Sequence, residues 1–284
     1  MSTVLLPSTY HCRPVAIATR HQKEEVLRTV LSRAGLHLIP LRVDTDSLGT
    51  FSGEVPRPAG IIETAVLKAR LGAGSSGLAL NLASEGSFGP EPDTGFVVIQ
   101  REVVVLLDTD TDVAVAGRAW GLAPWVRAWV LEVDEDPVER IGGLDLREHR
   151  LIVRPDTDRP PADAVTKGVA DADELRAAVA RLARDHPRVR IETDLRAHMC
   201  PTRHLVMVRA AQDLLLRLSS PCPSCAAPGY GVEDVVRGAP CRDCGTATDE
   251  VLALVHRCPH CGATSTRSAE AATADPARCP SCNP

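Results

Sequence analysis

An α/β domain followed by a small zinc-ribbon module is the fold class this sequence predicts. Three observations lead there. The chain opens as strand, loop, helix, strand, which is an α/β start. Its tail carries four Cys-X-X-Cys pairs: Cys222/Cys225, Cys241/Cys244, Cys258/Cys261 and Cys279/Cys282. Hydrophobic residues make up 44% but aromatics only 3%, so the core must be built of Val, Leu, Ile and Ala. A length of 284 residues suits two domains. We divide them as 1–218, a mixed sheet with flanking helices, and 219–284, the cysteine-rich module.

The elements follow in order. Residues 1–14 read as a frayed leader without the basic start and apolar core of a signal peptide. Val15–Ala18 is a short apolar strand. A polar loop with Thr19, Arg20, His21 and Lys23 leads into a helix to about Ala34, with Val26, Leu27, Val30 and Leu31 on one face and Gly35 as C-cap. Helix N-termini attract phosphate, so these basic groups are either anion ligands or a solvated first turn. Leu36–Val43 is the next strand. After the Gly loop Thr50–Val55, a helix runs from Ile61 to about Leu71, and Gly72–Gly77 reads as a flexible connector.

Leu78–Ala83 is a strand running into the polar loop 84–90, whose Glu85 would sit at a strand's carboxyl end. Phe96–Ile99 and Glu102–Leu107 suggest a hairpin, and Asp108–Asp112 a solvated turn. Trp120, Trp125 and Trp129 form a cluster suited to core or lid packing, or to base stacking. Residues 155–161 look like an exposed connector, part of a possible break near 155–170. Asp171 or Asp173 caps a helix to about Ala183, with Leu175, Ala178, Val179 and Leu182 inward. Val189–Glu192 is a strand, and a helix from Pro201 or Thr202 to Leu218 packs on Leu205, Val208, Leu214, Leu215 and Leu218.

The tail is the most specific signal. A tetrahedral zinc ion takes four soft ligands, and two knuckles supply them, so eight cysteines make two closed, structural sites. Disulfides are the alternative, but a fourfold knuckle spacing does not resemble a disulfide framework. Few apolar residues surround the cysteines, so metal binding, at roughly 10–16 kcal/mol of apparent energy per site, would drive folding. The pairing is either sequential or crossed. A strand at Val251–Arg257 with its return at Ala263–Arg267 inclines toward crossed, first knuckle with third and second with fourth. Cys12 and Cys200 are left free.

Thr19-X-His21-X-Lys23, Glu63-Thr64-Ala65 with Lys68-Ala69, and Ser84-Glu85-Gly86-Ser87 occur in an order that resembles the motifs of the inosine/xanthosine triphosphate pyrophosphatases. The resemblance covers about residues 15–118. It implies Lys23 and Lys68 on phosphate and Glu85 on magnesium with Glu63 nearby. His21 stands where that family has Asn. Over its whole length the chain looks more like an uncharacterised bacterial family with TFSGEV, SEGSFGP and ETDLRAHM-PTR motifs and a cysteine-rich tail, which implies architecture rather than reaction.

A second polar cluster follows the strand at 189. Glu192, Asp194, Arg196, His198, Arg203 and His204 lie within 13 residues. It is either a salt-bridge network or a site in which Asp194 holds magnesium, Arg196 and Arg203 clamp phosphate and His198 carries a proton. If a site, it is expected to share a cleft with Glu85.

Three functional readings follow. The first is a magnesium-dependent hydrolase of nucleoside triphosphates or other phosphate esters. The second is a zinc-ribbon protein that binds nucleic acid. The third is a non-catalytic adaptor with a protein partner. Net charge is −5, and residues 219–284 hold five Arg against seven acids before the thiolates are counted, which disfavours nucleic acid there. Zinc knuckles and unpaired cysteines suggest a reducing cytoplasm, and no apolar run suggests a membrane span.

Overall fold

The computed structural model describes residues 6–7, 9–19, 22–50, 54–92, 95–132, 135–271 and 273–284. They fall into two units, Thr9–Leu215 and Leu216–Pro284, with Leu6 and Pro7 grouped with the second.

The first unit contains two sheets. The larger has the order β2-β1-β3-β4-β5 and comprises β1 (Pro14–Ala18), β2 (His37–Leu41), β3 (Leu80–Pro90), β4 (Val98–Asp108) and β5 (Val113–Leu122). β1 lies parallel to both β2 and β3, whereas β3, β4 and β5 are antiparallel. Helix α1 (Lys23–Leu31) connects β1 to β2, and α2 (Ile61–Ser76) leads into β3. Because β1 has its crossovers on either side, the gap between β1 and β3 is a topological switch point, where open α/β sheets bind ligands.

Within α1, Leu27 and Leu31 are buried, and Gly35 ends the following 3-10 turn at φ 91°. α2 lays Ala65 and Ala69 on Val103, Val105, Ala83 and Leu107. Residues 9–13 are not frayed. Tyr10 is buried, and the Cys12 amide donates to the Gly35 carbonyl at 2.8 Å.

Several expected loops are regular structure. Gly72–Ser76 continue α2, with Gly77 as left-handed C-cap, because Gly72 packs against Ala18 where a larger residue would crowd the strand. Residues 84–90 are not a loop. They extend β3 to eleven residues, each paired with β4, since the ladder hydrogen bonds outweigh the low strand preference of Ser and Gly. Val98–Asp108 is one strand, not a hairpin, and pairs on both sides.

The smaller sheet is antiparallel, β6-β9-β7-β8, from β6 (Ala128–Glu132), β7 (Leu151–Pro155), β8 (Thr166–Val169) and β9 (Arg188–Thr193). Helix α3 (Pro137–Ile141) and α4 (Ala172–Leu182) pack with it around Leu151, Val153, Leu175, Val179 and Ile191. Asp171 caps α4, accepting from the amides of Asp173 and Glu174 at 3.0 and 2.8 Å. The expected connector at 155–161 lies inside this sheet, joining paired strands β7 and β8.

α5 (His204–Leu218) closes the unit. Its buried face is Val206, Met207, Ala210, Ala211, Leu214, Leu215 and Leu218; Leu214, Leu215 and Leu218 are buried as expected, while Leu205 is exposed and Val208 half-buried. Gly117 is where α5 touches β5: a Cβ there would lie 2.2 Å from the Leu214 nitrogen. The tryptophans form no cluster. Trp120 is exposed on β5, Trp129 packs on the smaller core, and Trp125 stacks on His149 with Phe88 edge-on.

The second unit has a three-stranded antiparallel sheet of β10 (Gly231–Arg237), β11 (Val251–Arg257) and β12 (Thr264–Ser268). Among the described residues, no helix is long and apolar enough to cross a membrane.

Candidate functional site

The knuckles pair crosswise. Cys222, Cys225, Cys258 and Cys261 form one group, and Cys241, Cys244, Cys279 and Cys282 the other. Four sulfurs at 2.3 Å from a central zinc would stand about 3.8 Å apart. The Sγ pairs Cys222–Cys261, Cys225–Cys258, Cys241–Cys282 and Cys244–Cys279 are separated by 3.7, 3.8, 3.8 and 3.5 Å. The donor set and its spacing therefore fit two zinc ions.

The residue after the second cysteine adopts positive φ in three knuckles: Ala226 at 58°, Gly245 at 76° and Gly262 at 74°. Ala226 holds this conformation without glycine's freedom. The crossed pairing follows from β11, which delivers the third knuckle from the strand that pairs with β10. With all four ligands supplied by protein, these sites are structural in character.

The chemistry-bearing pocket lies in the first unit. It is lined by Ala18 and Thr19 after β1, Lys23 at the start of α1, and Lys68 of α2. Thr45, Asp46, Gly49 and Thr50 follow β2, and Ser84 and Glu85 belong to β3. Ile152, Lys167 and Arg196 complete it. Glu85 is buried on the face of β3 that meets α2. Lys68 Nζ reaches its Oε2 at 2.6 Å and Arg57 Nη2 its Oε1 at 2.8 Å. Burial works to raise the Glu85 carboxyl, but Lys23, Lys68 and Arg57 together hold it below the usual range.

Lys23 Nζ donates to the Ser84 carbonyl at 3.0 Å. Burial lowers its ammonium to about 8, against the pull of Glu85. Thr19 Oγ1 is buried with no hydrogen-bond partner among the described residues.

Arg196 reaches the pocket from the turn after β9. Buried Asp194 aims it, accepting from Arg196 Nη2 at 2.6 Å and from Nε at 3.0 Å. Asp194 is thus spent on orienting an arginine and is not presented as a metal ligand. Lys167, on β8, lines the same pocket and pairs with Glu54 at 2.7 Å.

Other expected participants stand elsewhere. Arg203 is fully buried on the opposite face of β3, because residues 85 and 86 of a strand point to opposite sides. Its guanidinium bonds Glu102 at 2.6 Å and the Leu195 carbonyl, lies 5.3 Å over the Phe88 ring, and fills the space a Cβ on Gly86 would take. It is therefore a packing element, not a phosphate clamp. Glu63 is exposed in the first turn of α2, folded back over Gly60, and does not line the pocket. Glu192 is held by Arg154 and Arg190, both at 3.0 Å. His198 sits in the 3-10 turn Ala197–Met199, half-buried and outside the pocket lining. His21 lies outside the described residues.

The expectation of one shared cleft thus holds for Arg196 and Glu85 alone. Sequence reading missed Lys167 and Arg57. A usable signal for Lys167 was composition: it is one of only three lysines among 32 basic residues.

The family model described as "Domain of unknown function (DUF6671)" matches residues 68–284. The chain belongs to the DUF6671 family. Within that match fall Lys68, Glu85, Lys167, Arg196 and all eight knuckle cysteines, while Lys23 lies before it. No curated protein matches this DUF6671 chain.

Proposed function

We propose that the α/β unit binds a nucleoside triphosphate or a related phosphate ester in this pocket and hydrolyses it. The observation that carries the reading is the convergence of Lys23, Lys68, Lys167 and Arg196 on one pocket at the carboxyl end of β1 and beside the middle of β3. The ordered motifs resembling the inosine/xanthosine triphosphate pyrophosphatases support the choice of substrate class.

In this reading the cations neutralise charge that builds on the phosphoryl oxygens. Water attacks phosphorus and the bond to the leaving oxygen breaks. Glu85 takes the water's proton once the ligand has drawn Lys68 away from it. The residues offer magnesium little: both oxygens of Glu85 face cations, Glu63 points elsewhere, and the only metal-spaced groups among the described residues are the cysteine sets.

The test is a panel of triphosphates and sugar phosphates, scored by calorimetric binding and by release of phosphate and pyrophosphate. Arg196→Gln should weaken binding at least tenfold, since a charge-assisted hydrogen bond contributes about 1.5–3 kcal/mol. If no member of the panel binds or turns over, the reading fails.

A further inference from the structure

Only three of the chain's 32 basic residues are lysine, and all three line the same pocket: Lys23, Lys68 and Lys167. Everywhere else the chain uses arginine. For holding a phosphate, arginine's forked guanidinium is at least as good a ligand. What lysine adds is an amine that loses its proton and attacks as a nucleophile. The confinement of lysine to one pocket therefore points to amine chemistry for at least one of the three.

The partners of the three differ. Lys68 touches the Glu85 carboxylate at 2.6 Å and Lys167 the Glu54 carboxylate at 2.7 Å. Lys23 instead donates to the main-chain carbonyl of Ser84. Burial, against the pull of Glu85 and Glu102 and with Arg203 and Lys68 adding to it, lowers its ammonium to about 8, so a neutral fraction exists near physiological pH.

We infer that Lys23 is a nucleophilic amine that captures a phosphorylated aldehyde or ketone as an imine, while Arg196 and Lys167 hold the ligand's phosphate. This rests on the reading that the pocket takes a phosphate ester, and not on hydrolysis. The amine nitrogen adds to the carbonyl carbon. The carbonyl oxygen then leaves as water with both amine protons, and C=N replaces C=O with no change of oxidation state.

Pyridoxal 5′-phosphate serves as the phosphorylated aldehyde. The full zinc-loaded chain is incubated with it, reduced with borohydride and mapped by peptide mass, with the N-terminal amine scored apart. One adduct per chain is expected, on Lys23. It should form at least tenfold more than with pyridoxal lacking the phosphate, be suppressed by excess inorganic phosphate, and be lost in Lys23→Arg. Its rate should rise with a midpoint near pH 8, as the neutral amine attacks, rather than near 10.5.

Accessibility alone does not single out Lys23: Lys167, with a side chain 27% exposed, is half-buried like it, and only Lys68, at 9%, is closed off. Adduct on Lys167 or Lys68, equal labelling by pyridoxal, or no adduct overturns the inference. Should Lys23→Arg fail to fold, mapping on the unaltered chain decides alone. Calorimetry with inorganic phosphate separates the two failures: binding without adduct removes only the imine, and neither binding nor adduct removes the phosphate-ester reading as well.

Discussion

β4 buries every residue from Glu102 to Asp108, whereas β10 and β12 of the zinc module bury none, and β11 only Ala253. The α/β unit is held by apolar burial around strands covered on both faces. The module is a thin sheet whose buried groups are chiefly the cysteines Cys222, Cys241, Cys258 and Cys279 with Tyr230 and Ala239. The contrast teaches where each unit keeps its information. In the module, four of the eight motif cysteines are also the main buried groups. In the α/β unit, the core is distributed, and the polar site is assembled from segments far apart in sequence.

Removing metal should break this comparison most visibly. Structural zinc contributes roughly 10–16 kcal/mol of apparent binding energy per site. A strong chelator should unfold residues 216–284 while the α/β unit keeps its helices. Limited proteolysis with mass spectrometry would show the tail digested first, and metal analysis should return two zinc ions per chain. Retained protection of the tail after complete zinc loss would mean that the sheet folds by itself.

A smaller effect sharpens the other side. Glu85→Gln leaves Lys68 and Arg57 without their carboxylate, and breaking a buried pair costs about 3–5 kcal/mol. Denaturant unfolding of the α/β unit should shift accordingly, with zinc content unchanged. The carboxyl is held below its usual range, so its contribution is present above the ordinary carboxylate pKa and lost as pH falls through the lowered one. The gap between parent and variant should therefore close in acid; a gap that stays constant with pH would deny the ion pair its role. The smallest effect is Asp171→Ala, which removes the cap of α4 and should cost about 1 kcal/mol in the same unfolding measurement.

Sequence by itself determined that eight cysteines make two four-ligand groups, since a Cys-X-X-Cys knuckle is local and its ligand chemistry depends on residue type, but it left sequential and crossed pairing open, and the fold chose the crossed one. Sequence also determined the opening strand–helix–strand, a cap at Asp171 or Asp173, which the structure resolves as Asp171, and the inward face of α4, all set within one element. Only the tertiary structure decided the fate of the polar residues. Glu85 and Gly86 are neighbours in sequence, yet one faces the pocket and the other the buried Arg203–Glu102 pair, because strand pairing extends through a Ser- and Gly-rich segment that reads locally as a loop. Arg196 and Arg203 looked alike as phosphate ligands. Asp194 aims the first into the pocket, while Phe88 and Glu102 enclose the second. Lys167 lines the pocket from β8, and Arg57 reaches the site through its contact with Glu85. Such long-range pairings leave no spacing in the sequence, because it is the folding of the strands that brings their charges together.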